Sequence, residues 1–129
     1  MADGKTDIST TASPDDAWKL IGDFGGLGDW MPGIDSCELE GDVRTLQMMG
    51  MTIKEQLRER DDSDRRIAYG IVESPMDNLE HHHATIWIDP EGDGSKISWS
   101  VEVKPDEMLP LFLPIYEGSL QEVKKKLEA

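Results

Sequence analysis

Arg44, Glu55 and Tyr69 are the polar residues of this chain whose types and spacing best suit chemistry, because each falls within an otherwise aliphatic pattern. Over residues 51–60, Met51, Ile53, Glu55 and Leu57 form one face of a strand, and Thr52, Lys54, Gln56 and Arg58 form the other. The apolar face must be the buried one, which carries Glu55 inward. A two-residue turn at Met49-Gly50 then sets Glu55 opposite Arg44, with Leu46 and Met48 on the same inner face. In the following strand Ile67, Tyr69 and Ile71 form the apolar set. If Leu57 faces Ile67 across the acidic turn Asp61-Asp62-Ser63-Asp64, Tyr69 lies beside Glu55, completing a polar row on an aliphatic wall.

That row admits three chemistries. Glu55 can act as a general base toward a proton next to a carbonyl, with Tyr69 or Arg44 steadying the oxyanion that develops. Alternatively, Arg44 and Glu55 form a cross-strand ion pair that neutralises two buried charges and sets register. An adjacent guanidinium stabilises a carboxylate and makes it a poorer base, which favours this structural role. Between the two, the row supplies an apolar ligand with a polar anchor. Tyr69 taken alone also suits a core tyrosine with a satisfied hydroxyl. His81-His82-His83 lies in a strand that sends His82 to one face and its neighbours to the other. Ala84, Ile86 and Ile88 set the inward phase and bring His82 inside as a possible acid or base, while Trp87 argues for the opposite phase. No third ligand has metal-binding spacing to the histidines, so no metal is expected.

The elements that position these residues follow from periodicity. A short strand over 5–10 leads into Ser13-Pro14-Asp15-Asp16, a helix start with Ser13 as N-cap and Pro14 at the first helical position. The helix is expected to end at Ile21, before a glycine-rich loop through Gly33. Period-two patterning then predicts strands over 34–40, 43–49, 51–60, 65–74, 79–89 and 95–103, separated by short turns. Spacing this tight leaves no room for crossover helices, so the strands must form an antiparallel meander. Ile97, Trp99, Val101 and Val103 alternate toward the same interior. Tyr116, Leu120, Val123 and Leu127 then mark the apolar stripe of a closing helix, with Lys124, Lys125 and Lys126 at its negative end. The fold class is α+β: a curved seven-stranded antiparallel sheet wrapped around a long C-terminal helix, with two short helices between strands 1 and 2.

Composition narrows the partners. The 129 residues, expected to form a single domain, carry 27 acidic and 13 basic side chains, a formal net charge of −14. Such a surface repels phosphate backbones and anionic headgroups, so nucleic acid is not expected as a partner, and the longest uncharged apolar run, 108–116, is too short for membrane insertion. Gly25-Gly26-Leu27-Gly28 lacks a lysine and is flanked by Asp23 and Asp29, which suits a close-packed rim and not a phosphate cradle. The single Cys37 and the absence of an apolar signal core in the opening residues suggest a reducing, cytoplasmic setting. No motif implies a cofactor.

The ordered set of motifs resembles the polyketide cyclase/dehydrase and lipid-transport group of the START/Bet v 1-like (SRPBCC) superfamily. The resemblance rests on Ala12-Ser13-Pro14-Asp15-Asp16-Ala17-Trp18, Gly22-Asp23-Phe24-Gly25-Gly26-Leu27 and Trp30-Met31-Pro32-Gly33. It continues through Val43-Arg44-Thr45-Leu46, Glu55 with Leu57, Tyr69, Pro90-Glu91-Gly92-Asp93-Gly94-Ser95, Trp99 and Ile115-Tyr116-Glu117-Gly118-Ser119-Leu120. It implies a helix-grip fold enclosing a mostly apolar cavity, and no single activity. The expected cavity wall takes Leu46, Met48, Ile53, Leu57 and Ile71 around the polar row. Ile86, Trp99, Val101 and His82 join it from the later strands, Trp30 and Met31 from the loop, and Phe112, Tyr116 and Leu120 from the helix. Two departures from the pattern stand out: the histidine tract, and Pro110 with Pro114, which predict a broken or shortened helix and a lid over 108–113. Gly118 predicts close approach of the helix backbone to the sheet or a ligand. The leading expectation is binding or carriage of a small apolar molecule. The alternatives are a cofactor-independent cyclase, dehydratase or isomerase using Glu55 or His82 with Tyr69 and Arg44, and an acidic partner-binding module.

Overall fold

The computed structural model describes residues 1–129. The elements run β1 (Ala2–Thr10), α1 (Pro14–Ile21), a 3-10 stretch (Phe24–Asp29), β2 (Ile34–Glu40), β3 (Val43–Met48), β4 (Met51–Asp61), β5 (Arg66–Glu73), β6 (His81–Glu91), β7 (Gly94–Lys104), a 3-10 turn (Asp106–Met108) and α2 (Leu109–Leu127). The strands form one antiparallel sheet in the order β1-β7-β6-β5-β4-β3-β2. Ser13 caps α1 by accepting the Asp16 N–H at 3.2 Å, and Pro14 occupies its first turn. Strand β1 begins earlier than its own pattern suggests because it pairs along β7 as far as Ala2 with Val103.

The turns set the register. Met49 and Gly50 both take positive φ, 51° and 75°, as a two-residue hairpin turn matched to strand twist requires. Arg44 accordingly opposes Glu55, Leu46 opposes Ile53 and Met48 opposes Met51. The β4–β5 register differs from expectation: Tyr69 opposes Leu57, and Glu55 opposes Ile71. The acidic turn closes further along the chain, on an Asp61–Arg66 pair, and an irregularity between Leu57 and Glu59 displaces Arg58 from the ladder. The resulting shift of two residues keeps every side chain on its face while moving Tyr69 one pair along.

The displaced Arg58 has a structural task. β5 pairs with β6 only over Arg66–Tyr69, after which the strands part. The Arg58 guanidinium crosses Gly70 and donates to the His82 carbonyl at 3.1 Å, supplying a bond that a continuous ladder would have made. Gly70 is required there, because a Cβ would sit 2.4 Å from the backbone carbonyl oxygen of His82. Along β6 the inward set is His82, Ala84, Ile86 and Ile88, all buried. Trp87 faces outward, with the cationic groups of Lys5 and Arg66 5.9 and 5.5 Å from its ring.

Helix α2 is continuous, which corrects the expected break and lid at 108–113. Pro110 and Pro114 both lie on its exposed face. The carbonyl freed by the missing Pro114 N–H is that of Pro110, one turn earlier and still within reach of water. Burial of Phe112, Tyr116, Leu120 and Val123 against the sheet outweighs the remaining cost. The expected close approach at Gly118 is also corrected: the residue is exposed, and a Cβ there would meet nothing within 4 Å. Gly118→Ala is therefore expected to stabilise the protein by about 1 kcal/mol, read as a higher urea midpoint at unchanged m. An unchanged or lower midpoint would show that this helix position is under a constraint the fold does not display.

Candidate functional site

Arg44 and Glu55 face one another from β3 and β4 and are buried, 2% and 7% exposed. The arginine Nε donates to Glu55 Oε1 at 2.8 Å, and Nη2 lies 2.7 Å from the same oxygen. Nη1 donates to the Phe24 carbonyl at 3.0 Å. The guanidinium carbon lies 3.9 Å from the Phe24 ring centre and 4.7 Å from that of Tyr69. Arg44 is thus closed on both faces and along its edge, as a buried charge requires. Because both bonds fall on Oε1, Glu55 Oε2 has no protein partner, and it is not sealed from the surrounding space.

A second polar array meets the first at Tyr69. Where β5 and β6 part, the Ile71 N–H donates to His82 Nδ1 at 3.2 Å, so the imidazole proton lies on Nε2. Nε2 is 2.9 Å from the Tyr116 hydroxyl. Trp99 Nε1 donates to the Tyr69 hydroxyl at 3.1 Å. The Trp99 and Tyr116 rings stack with centroids 3.9 Å apart, and Phe112 covers His82 at 4.9 Å. Burial, and then the negative charge of Glu55, push the Tyr69 phenol well up, so it is neutral. Burial, and then the positive charge of Arg58, pull His82 down to about 3.

Both arrays border a cavity of about 70 Å³, in which Glu55 is the only lining residue that is not hydrophobic. Of the expected wall, Met31, Leu46, Met48, Ile53, Glu55 and Tyr69 line it, together with Ile71, Phe112 and Tyr116. Trp30, Ile86, Trp99, Val101 and Leu120 pack in the core instead, and Leu57, partly buried, packs against that core outside the cavity. Arg44 and His82 sit behind the wall and act through Glu55 and Tyr116. Leu27, Met49, Met51, Met76, Leu111 and Ile115 complete the lining. Met51 shares the face of Ile53 and was legible for that reason. Met49 lies on a turn and Met76 in a loop, where periodicity assigns no face. Leu111 and Ile115 were obscured by the expected break in α2. The remaining histidines have unrelated partners: His81 lies 3.5 Å from Glu102, and His83 Nδ1 lies 3.0 Å from Arg58.

An antiparallel sheet closed by a C-terminal helix over an apolar cavity is the helix-grip class. The family described as polyketide cyclase / dehydrase and lipid transport matches residues 1–128, and the chain belongs to it. Its structure is similar to that of the protein XoxI from Bacillus cereus, with 31% identity, a TM-score of 0.93, and coverage of 99% of this chain and 96% of that one. A START superfamily protein from Mycobacterium smegmatis shares the fold at 16% identity and a TM-score of 0.76, covering 97% and 98% of the two chains. Ara h 8.0201 does so at 18% identity and a TM-score of 0.80, covering 98% and 97%. No curated protein matches the sequence.

The ion pair and the histidine each generate a test. Glu55→Leu or Arg44→Met alone leaves a buried charge unpaired and is expected to cost about 3–5 kcal/mol. The double substitution is expected to recover most of that loss, giving a large coupling in a urea double-mutant cycle. Simple additivity would show that the pair is not a unit. For His82 the folded value lies below the unfolded one, so its stabilising effect is complete above about pH 6.5 and is lost as pH falls toward about 3. The slope from this group is at most about 1.4 kcal/mol per pH unit. The parent should therefore lose stability faster than His82→Gln between pH 6.5 and 4.5, and parallel curves would refute the assignment.

Proposed function

We propose that the protein binds a small, mainly apolar molecule in the cavity between β3–β5 and α2, with Glu55 as its polar anchor. The observation that carries this reading is a single carboxylate set in a wall otherwise made of hydrophobic side chains. Such a site excludes ions and favours an apolar body with one polar group. Membership of a family of lipid-transport proteins and cyclases supports ligand binding as the activity. Five of the seven methionines line the cavity, and their flexible side chains can yield to ligands larger than the resting volume admits. The net charge of −14 opposes nucleic acid as a partner. No helix is long and apolar enough to cross a membrane. The lone Cys37 fits a reducing, cytoplasmic setting.

Titration with toluene, followed by the ¹³C-methyl signals of methionine, tests the proposal. Met31, Met48, Met51 and Met76 should shift together and saturate, while Met1 and Met108, which lie outside the cavity, should stay in place. Shifts that fail to saturate, or that spread equally over all seven methionines, would refute binding at this site.

A further inference from the structure

Resting on that binding site, we infer that its ligand presents a neutral hydroxyl group, an alcohol or phenol on an apolar body, to Glu55 and Tyr69 together. The inference follows from the direction of each hydrogen bond. A backbone N–H and an indole N–H can only donate. The Ile71 N–H fixes His82 Nδ1 as an acceptor, so Nε2–H donates to Tyr116. The Tyr69 oxygen accepts the Trp99 indole proton. A phenol that accepts there still carries its own O–H, and no protein acceptor within hydrogen-bond distance takes it. On the neighbouring strand Glu55 is in the opposite condition. Arg44 occupies Oε1 alone, and Oε2 is an acceptor without a donor.

The cavity wall therefore carries one acceptor and one donor, and the guanidinium behind them is closed off by Phe24 and Tyr69. A hydroxyl satisfies both, donating to Oε2 and accepting from Tyr69. An ether or ketone accepts from Tyr69 and leaves Oε2 bare. A carboxylate or phosphate meets the Glu55 charge with Arg44 out of reach, and a hydrocarbon leaves both groups unpaired. The selection is thus against fatty acids and phospholipid headgroups, and for molecules whose polar group both gives and takes a hydrogen bond.

The test compares p-cresol, 4-methylanisole, 4-methylbenzoate and toluene by methionine-methyl titration of the whole protein. p-Cresol should bind about tenfold or more tightly than 4-methylanisole and toluene, and 4-methylbenzoate should bind most weakly. Tyr69→Phe should reduce the ratio of p-cresol to toluene affinity. Glu55→Gln, which turns a donor toward the cavity in place of Oε2, should erase the advantage of p-cresol over 4-methylanisole. Equal affinity of toluene and p-cresol would overturn the hydroxyl assignment while leaving the cavity reading intact. Saturation by none of the four would overturn both. If Glu55→Gln fails to fold, the parent series and Tyr69→Phe decide the matter alone.

Discussion

A guanidinium buried beneath the sheet is the constraint around which the rest of the site is arranged. Arg44 must be neutralised, hydrogen-bonded and covered, and three separate parts of the chain supply those needs. β4 brings Glu55, the loop after α1 brings the Phe24 carbonyl and ring, and β5 brings the Tyr69 ring. The glycine-rich loop is thereby tied to the sheet, which places Leu27 and Met31 on the cavity wall. Under the proposed function, a structural ion pair and a ligand anchor are the same feature: one carboxylate oxygen serves the fold, and the other is left for the cavity.

The parting of β5 from β6 is the second organising feature. It removes ladder bonds at Ile71 and His82, and side chains replace them. Arg58 reaches the His82 carbonyl, and the His82 ring takes the Ile71 N–H. That second replacement determines the histidine tautomer and makes Nε2–H the donor toward Tyr116. A break in backbone pairing in the middle of the sheet therefore reaches a residue of the cavity wall through one imidazole. The charge of Arg58 beside that ring adds to burial in keeping it neutral.

The small resting cavity and its methionine lining are two sides of one design. A volume of about 70 Å³ holds little more than a polar head group and its first carbons. Methionine has three rotatable bonds and no branching, so the wall can move where an Ile or Val wall would resist. Rigid polar groups at the closed end and mobile thioethers toward the exposed Met49 fit a site that fixes one end of a molecule and tolerates variety at the other.

How much of this was legible in advance divides along physical lines. Period-two alternation and the Met49-Gly50 turn were enough to face Glu55 with Arg44, because the register of a two-residue hairpin is a local property. The same alternation carried His82, Trp99 and Val101 inward, and the heptad-like stripe placed Tyr116 on the buried face of the last helix. Local rules failed where a long-range balance decides. A displaced Arg58 moved Tyr69 along the sheet, and packing against β1 and β7 carried α2 straight through Pro114. Which oxygen of Glu55 Arg44 takes, and which nitrogen of His82 carries the proton, were settled only when distant segments met. Hydrogen-bond direction belongs to a network of groups remote in sequence, and a linear pattern of residue types holds no information about it until the chain has closed.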